Sequence, residues 1–337
     1  MVTYRYTDTD IPSQTNRPDA IVRTTLKENN TDFVTKPSRG AWLTGWLILI
    51  VTLIAAGLVL DINALLQQLV GLPSGTLVTV ITLGATSWLL RGIRTWILVS
   101  PFAPMPLTTA LGVSFVHNAA NNILPMRLGE LVFPWLTKRL GSSDFFTGLG
   151  ALLWIRGLDL VALVGLGGAI ILWPVLGFPA LALAALVVFA LPLLIGWLLP
   201  FSAQWGLPHL IARLRDQCIM EAQNPRRLAR LWRLTVLSWL SKLLAMMLLL
   251  ATLSGLNLAQ VMSLILGAEL SAILPIHGLA GAGSYEAGGI LGGQLMGTTL
   301  TDGFALTVQL HLFVLGLTCV FGILGAIMLL KRIRHDA

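Results

Sequence analysis

The feature that most constrains this chain is a series of apolar runs close to the roughly 20 residues that a helix needs to cross the hydrocarbon layer of a membrane. The run GWLILIVTLIAAGLVL at 45–60 has no charged residue and no apolar–polar alternation. Transmembrane barrel strands do alternate, in segments of roughly ten residues. The sequence therefore predicts an all-α, polytopic helical membrane protein. Composition agrees, because 11% of the residues are charged, against about a quarter in soluble domains.

Apolar stretches of two kinds divide the chain. Six are predicted to be full membrane spans, at about 41–60, 76–94, 144–172, 178–200, 232–254 and 304–330. Two more, at about 96–137 and 259–299, are interrupted in the middle by proline, glycine and polar residues. Irregular backbone at membrane depth is tolerated only inside protein or beside a wet cavity. We therefore expect each interrupted region to be a re-entrant helical hairpin.

The distribution of Lys and Arg predicts how the spans are oriented. Arg91 and Arg94 close the second span, and Lys138 and Arg139 precede the third, so all four are expected on the cytoplasmic side. None of the predicted outer loops contains Lys or Arg. We expect both termini in the cytoplasm, and we read the net charge of +7 as a sign of membrane orientation rather than of nucleic-acid binding.

The same pattern predicts the organisation of the whole chain. Residues 1–39 are polar and aperiodic, which favours a flexible cytoplasmic tail over a signal peptide. A transmembrane domain is predicted at 40–330. Its first half covers about 41–172 and contains hairpin 96–137, and its second half covers about 178–330 and contains hairpin 259–299. A basic cytoplasmic loop is predicted at 201–233 and a cytoplasmic C-terminus at 331–337. Cys218 and Cys319 are expected to be free thiols.

The two interrupted regions resemble each other in sequence. NNILPMRLGE at 121–130 and SAILPIHGLAGAGSYE at 271–286 each contain Ile-Leu-Pro, then glycine, then glutamate. By charge counting they enter the membrane from opposite sides. We interpret them as an inverted repeat whose discontinuous helices meet near the midplane of the membrane. The alternative is a chance likeness between common residues.

The interrupted regions contain residues that break helices. Pro125 and Pro275 are the predicted breaks, because proline lacks an N–H and clashes with the preceding turn. Asn121 and Asn122 can hydrogen-bond the backbone groups that a break leaves free. A helix that restarts after the break presents free N–H groups, which favour an anion.

The second region adds glycines and a candidate cap. Gly281 and Gly283 lie in an open, glycine-rich backbone, and Ser284 is expected to cap the helix that carries Glu286. His117 and His277 flank the two breaks, and we expect them to be packed, hydrogen-bonding residues rather than ligands.

Ionisable residues inside predicted membrane segments are functional candidates, because charge is costly there. They are Arg127, Glu130, Arg156, Asp159, Lys242, Glu269 and Glu286. Arg127 and Glu130 are three residues apart, as are Arg156 and Asp159, so the two members of each pair share a helix face. An internal salt bridge is an open alternative for Arg156 with Asp159, and Lys242 could pair structurally with Glu269. At the breaks a functional role is favoured.

Several kinds of site are absent from the sequence pattern. The chain has no His-Glu-x-x-His spacing, no Walker A lysine loop and no Gly-x-Ser-x-Gly elbow. We therefore assign no catalytic residue, no metal ligand and no cofactor. A strand does not precede the glycines of GLAGAGSYEAGG, so a dinucleotide site is not expected either.

At these residues the chain resembles the lysylphosphatidylglycerol synthase transmembrane-region family, over roughly residues 41–330. The family's motifs are matched by Asn122, Pro125, Arg127, Gly129 and Glu130 in the first half, by Arg156 and Asp159 on the following helix, and by Pro275, Gly281, Gly283 and Glu286 in the second half. The resemblance implies movement of a lipid or lipid-like amphiphile between leaflets. Fused members carry a soluble aminoacyl-transferase domain. The sequence here ends at Ala337, so lysyl transfer is not expected and we predict a non-enzyme.

The leading expectation is a lipid flippase with a polar cavity between the two hairpins. Arg127, helped by Arg156, is expected to contact an anionic headgroup, while Glu130 and Glu286 pair with arginines, contact a cationic headgroup or carry a coupling proton or ion. A module that presents lipid to a partner enzyme, a membrane-embedded lipid enzyme and a small-solute transporter remain alternatives. The family fits a bacterial inner membrane, and a homo-oligomer is possible.

Overall fold

The computed structural model describes residues 39–186, 216, 219–220, 224–273 and 278–336. Within these ranges the regular structure is entirely helical. Five helices are long and apolar enough to cross a membrane, at Trp42–Val59, Ser74–Val99, Phe145–Trp173, Pro225–Leu253 and Leu300–Arg332. The fold class is therefore that of a polytopic helical membrane protein, as the apolar runs predicted.

The helices are numbered along the chain. They are α1 Arg39–Val59, α2 Ile62–Val70, α3 Ser74–Val99, α4 Leu107–Ile123, α5 Val132–Gly141, α6 Phe145–Leu176, α7 Phe178–Ala185, α8 Pro225–Leu253, α9 Leu258–Ser271, α10 Ser284–Gln294 and α11 Leu300–Asp336. Two 3₁₀ turns, at Pro125–Leu131 and Leu279–Gly281, lie in the two interrupted regions.

Some predicted boundaries differ from the observed ones. The loop predicted at 201–233 overlaps a helix, because α8 begins at Pro225. Asn224 accepts a hydrogen bond from the N–H of Arg227, and a proline in the first turn suits a helix start. The fourth predicted span, 178–200, begins with α7, and its part after residue 186 lies outside the described residues, as do the tail at 1–38 and Cys218.

The predicted outer connection after the first span contains a helix that the apolar pattern did not reveal. Asp61 caps α2 by accepting a hydrogen bond from the N–H of Ala64 at 3.0 Å. On the same helix Gln68 accepts a hydrogen bond at 2.9 Å from Gln309 of α11. The connection between the first two spans is therefore tied to the last helix.

Close helix packing holds the two interrupted regions in place. α3 packs along α8, α4 along α11, and α9 along α10. At the α9–α10 contact a Cβ added to Gly267 would lie 2.1 Å from the carbonyl oxygen of Gly288. Small residues allow membrane helices to approach this closely. The backbones of the second interrupted region therefore touch directly.

α1 lies across both breaks. A Cβ added to Gly45 would lie 2.9 Å from the Pro125 ring and 3.5 Å from the Leu279 nitrogen. Most other apolar side chains of α1 are exposed, with Leu58 the most open of them at 82%. Such a face suits contact with lipid. The first span thus joins the two interrupted regions on one side and presents apolar surface on the other.

Candidate functional site

The first break follows α4. Leu124, which precedes the proline, is extended at φ −75° and ψ 138°, as expected for a residue before proline. Met126 and Arg127 then adopt left-handed conformations, both at φ 54°. Left-handed backbone is strained for residues other than glycine and clusters at functional sites. The backbone at Met126 and Arg127 is therefore held in a conformation that the rest of the fold must enforce.

Gly129 closes this break against the preceding helix. A Cβ added there would lie 2.2 Å from the backbone nitrogen of Asn121, so no larger residue fits. Its carbonyl oxygen lies 3.1 Å from Nδ1 of His117, and the His117 ring packs edge-on against Phe133. His117 is thus a buried, hydrogen-bonding residue, as the sequence led us to expect.

The second break, like the first, is a turn that contains residues in left-handed backbone conformations. Ala280 lies at φ 58°, Gly281 at φ 79° and Gly283 at φ 85°. Glycine adopts such values readily, so the two glycines carry most of this turn. Pro275 and His277 lie outside the described residues.

The expected role of Ser284 as a helix cap is wrong. Gly283 occupies the capping position of α10, and its N–H donates to Glu286 Oε2 at 2.8 Å. Ser284 is one residue too late to cap, because it is already the first residue of the helix. Within the described residues its buried hydroxyl oxygen has no hydrogen-bond partner.

Glu130 is the centre of a first ionic cluster. Arg127 approaches Glu130 Oε1 at 2.7 Å, and Arg156 of α6 approaches the same atom at 3.1 Å. Arg127 also donates to the carbonyl oxygen of Ile273, at the end of α9, at 2.6 Å. Asn121, with its amide oxygen toward Arg127 and its nitrogen toward Glu130, lies 3.3 Å from each. Arg127 therefore links the first break to the start of the second.

Asp159 is the centre of a second cluster, and its main partner differs from the expected one. Arg94 of α3 reaches the two carboxylate oxygens at 2.6 and 3.2 Å, while Arg156, three residues away, stays at 3.6 Å. Trp239 donates to the same carboxylate at 2.9 Å, and Arg94 also donates to Thr235 at 2.9 Å. Sequence spacing suggested Arg156, but the bidentate geometry with Arg94 is the stronger contact.

Two further pairs complete the buried charges. Lys242 Nζ lies 2.6 Å from Glu269 Oε2, which is the structural pairing considered for them, and Tyr285 donates to Glu269 Oε1 at 3.2 Å. His311 Nδ1 lies 2.6 Å from Glu286 Oε1. Asn122 does not contact these charges, because its amide donates to Thr318 of α11 at 2.8 Å.

Arg91 differs from these charges, because it forms no ion pair within the described residues. It lies within α3, before the end of that helix, and its guanidinium carbon sits 4.9 Å from the centre of the Trp239 ring. Lys242 lies over the same ring at 5.1 Å. In the described part of the chain, Nη2 of Arg91 is buried without a hydrogen-bond partner, and no carboxylate forms an ion pair with the residue.

Both breaks face one cavity of about 360 Å³. That size falls within the range of small-molecule pockets. The first break contributes Asn121, Asn122 and Arg127, and the second contributes Gly281 and Ser284. The remaining polar wall consists of Ser87, Arg91, Asn118, Arg156, Asp159, Trp239, Lys242, Glu269, Tyr285 and His311. Residues that are far apart along the chain therefore line a single polar cavity.

The cavity and its paired side chains carry an excess of positive charge. Among the described residues that line it or pair with its lining there are five lysine and arginine cations and four carboxylates. Among these described cations, Arg91 is the one that forms no ion pair with a carboxylate. A buried charge without a partner is costly, so an anion in the cavity would be stabilised by Arg91.

Several residues of the site were missed from the sequence. Arg91 and Arg94 were interpreted as cytoplasmic charges, but Arg94 is 4% exposed and lies in the helix bundle. His311 is an ionisable residue within an apolar run, and an ionisable residue at that depth was the available signal. Trp239 and Tyr285 gave none, since aromatic residues are common in membrane helices. No group of three His, Cys, Asp or Glu side chains in the described ranges is arranged to hold a metal.

The long apolar helices, with a polar and charged cavity between the broken ones, place this chain among integral membrane proteins. The family described as the lysylphosphatidylglycerol synthase TM region matches residues 43–322, and the chain belongs to that family. No individual curated protein matches the sequence significantly. The match spans both breaks and every described residue of the cavity.

Proposed function

We propose that this membrane protein moves a lipid with an anionic headgroup, a phospholipid or a lipid-linked amphiphile, between leaflets of the membrane. The observation that carries the proposal is the shared cavity: both helix breaks open onto it, and one of its cations, Arg91, forms no ion pair with any carboxylate that the structure describes. Charged groups within a membrane commonly mark substrate pathways. A phosphate diester is an anion that arginine recognises well.

Arg91 is the best candidate for the headgroup contact. Arg127 and Arg156 share Glu130, and Arg94 and Lys242 each have a carboxylate of their own. An anion that approached those residues would have to compete with an existing ion pair. Within the described residues Arg91 forms no ion pair and lies over the Trp239 ring, so it can donate hydrogen bonds to a phosphate oxygen without breaking an ion pair.

We also infer that the lipid is moved and not converted. Glu130, Asp159, Glu269 and Glu286 each accept contacts from a cation or a histidine at 2.6 to 2.7 Å. Those contacts favour the ionised form of a carboxylate or hold its oxygen in place. General acid–base work would require a carboxylate placed against the substrate.

The test is lipid movement in proteoliposomes that contain a panel of headgroup-labelled lipids. We expect wild-type protein to move lipids with an anionic phosphodiester, and Arg91→Gln to slow the movement by roughly tenfold or more, because a charge-assisted hydrogen bond contributes about 1.5–3 kcal/mol. The matched control is Arg233→Gln, which removes an exposed arginine of α8 that does not line the cavity. Equal rates for the wild type and Arg91→Gln would remove this assignment.

A second candidate is a module that holds lipid for a partner protein. Arg226 and Arg230, with Trp96, line a separate pocket of about 390 Å³ at the start of α8. Basic clusters at a membrane surface attract anionic lipids and partners. Wild-type protein that is folded, moves no lipid and copurifies with a stoichiometric partner would favour this candidate over the first.

A further inference from the structure

A histidine and a glutamate meet at the second break, next to the cavity. His311 is 8% exposed; its Nδ1 lies 2.6 Å from Glu286 Oε1, and its Nε2 lies 2.8 Å from the carbonyl oxygen of Ala280. The other oxygen of Glu286 accepts the N–H of Gly283 at 2.8 Å. One ring thus bridges α11, α10 and the left-handed turn between the broken helices.

Both ring nitrogens of His311 face oxygen atoms. A neutral imidazole has one N–H and one lone pair, so it can donate to one oxygen only. The Ala280 carbonyl can only accept. The contacts are satisfied when imidazolium faces an ionised Glu286. They are equally satisfied when Nε2–H donates to Ala280 and a protonated Glu286 donates its O–H to Nδ1. Both arrangements hold one proton more than a neutral ring beside a carboxylate.

Other ionisable groups surround the cavity near this pair, and within the described residues all of them but Arg91 have polar partners of their own. Tyr285 of α10 lies against the His311 ring, with 4.6 Å between ring centres, and its hydroxyl donates to Glu269. The other ionisable residues that line the same cavity are Glu269, Lys242, Arg91, Arg127, Arg156 and Asp159, and Glu130, His117 and Arg94 contact members of this set. None of them is an ion-pair partner of Glu286 or His311 in the described part of the chain.

We propose that Glu286 and His311 form the binding site for one proton that the protein moves together with its anionic substrate. The substrate's part in this statement rests on the proposed function. With the proton bound, the charged side chains of the cavity carry two positive charges in excess, and without it they carry one. A bound anion therefore favours the bound proton, and the reverse holds by linkage.

Loss of the proton also changes the contacts at the break. A neutral ring beside ionised Glu286 directs a lone pair at an oxygen, so either the Ala280 contact or the Glu286 contact must open. Ala280 is in a left-handed conformation at φ 58°, which favours its release once the contact is gone. The proton site is therefore positioned to change the second break when it empties.

Spectroscopy tests the site without any lipid movement. Nitrogen NMR of protein labelled at its five histidines, with His311→Gln to assign the signal, reports the ring, and infrared difference spectra with Glu286→Gln report the carboxyl. At neutral pH we expect either an imidazolium at His311 or a protonated carboxyl at Glu286. A neutral ring beside an ionised carboxylate would overturn the proposal.

Lipid movement tests the coupling. At zero membrane potential, a pH difference of one unit should drive about a tenfold asymmetry of the anionic lipid if one proton accompanies each lipid. Glu286→Gln keeps the contacts of the protonated form, since its amide oxygen can accept from Gly283 and its nitrogen can donate to His311. We expect this variant to exchange lipid while a pH difference no longer drives asymmetry.

The two arms separate this proposal from the proposed function. A Glu286→Gln variant that still converts the pH difference into lipid asymmetry would overturn the coupling and leave lipid movement standing. Wild-type protein that moves no lipid would contradict the proposed function, and with it the coupling to a substrate. The spectroscopic result would still decide whether the pair holds a proton.

Discussion

At the scale of the residue, the charges of the cavity are arranged in pairs. Arg94 and Asp159 are 4% and 5% exposed and form a bidentate contact to which Trp239 and Thr235 add hydrogen bonds, so that within the described residues only Nε of Arg94 has no partner. Desolvation of two charges is expensive, and it is offset only when the remaining hydrogen bonds are also made. The pair is therefore a structural element of the bundle, whereas we propose Arg91 as the cation that contacts the headgroup.

Removal of the Asp159 carboxylate should destabilise the protein. Asp159→Asn leaves Arg94 buried without a counter-ion, which typically costs about 3–5 kcal/mol. We expect a clear fall in the thermal unfolding midpoint in detergent. Asp61→Asn is the matched control, because Asp61 is exposed and asparagine caps a helix as well as aspartate does.

A double variant separates charge burial from packing. Arg94→Met with Asp159→Leu removes both charges, and apolar replacement of a buried pair is often neutral or stabilising. The midpoint should therefore recover relative to Asp159→Asn alone. An Asp159→Asn protein that unfolds at the wild-type temperature would show that the contact does not stabilise the bundle.

Sequence alone indicated the four carboxylates of the site but only some of their partners. Glu130, Asp159, Glu269 and Glu286 stood out because carboxylates are rare inside apolar segments. The partner of Asp159 is 65 residues away along the chain, and only the packing of α3 on α6 and α8 brings it close. Spacing rules for charges on one helix consider only residues three or four positions apart, so they predicted Arg156 as the partner of Asp159.

At the scale of the element, the two interrupted regions share a plan. Each has a helix, a turn with left-handed residues and a second helix, and each break contacts α1. The prolines and glycines predicted this plan, since both residue types interrupt helices for stereochemical reasons. The starts of α2 and α8 were not predicted, because N-terminal capping by Asp61 and Asn224 acts locally and leaves the apolar pattern unchanged. Opposite entry into the membrane stays a prediction.

The α9–α10 contact should tolerate no added carbon. A Cβ at Gly267 would lie 2.1 Å from the carbonyl oxygen of Gly288 and 3.0 Å from the Gly292 Cα, and backbone atoms cannot rotate away. We expect Gly267→Ala to separate the helices and to lower stability by about 1–3 kcal/mol, measured as the unfolding midpoint in detergent.

A glycine in open space provides the control for this substitution. Gly168 of α6 has no atom within 4 Å of an added Cβ, and alanine is favoured over glycine in a helix by about 0.5–1 kcal/mol. Gly168→Ala should therefore be neutral or stabilising. Equal midpoints for Gly267→Ala and Gly168→Ala would contradict the close contact of α9 with α10.

At the scale of the whole molecule, a helical membrane protein of the lysylphosphatidylglycerol synthase TM region family encloses a charged cavity between two broken helices. The residues of the cavity come from α3, α4, α6, α8, α9, α10 and α11. The sequence indicated the class and the breaks, because long apolar runs and prolines are local signals. The excess cation emerged only from the packing, since every pairing had to be known before one arginine was left over.

The central claim is that an anionic lipid headgroup binds at Arg91. The most direct test is to identify the lipid that the purified protein retains. Native mass spectrometry of detergent-solubilised protein, equilibrated with equal amounts of an anionic phosphodiester lipid, a zwitterionic phospholipid and diacylglycerol, reports which lipid is held. We predict preferential retention of the anionic lipid by wild type and by Arg233→Gln, and roughly tenfold less by Arg91→Gln. Equal retention by Arg91→Gln, or retention of diacylglycerol as strong as that of the anionic lipid, would contradict an anionic headgroup at Arg91.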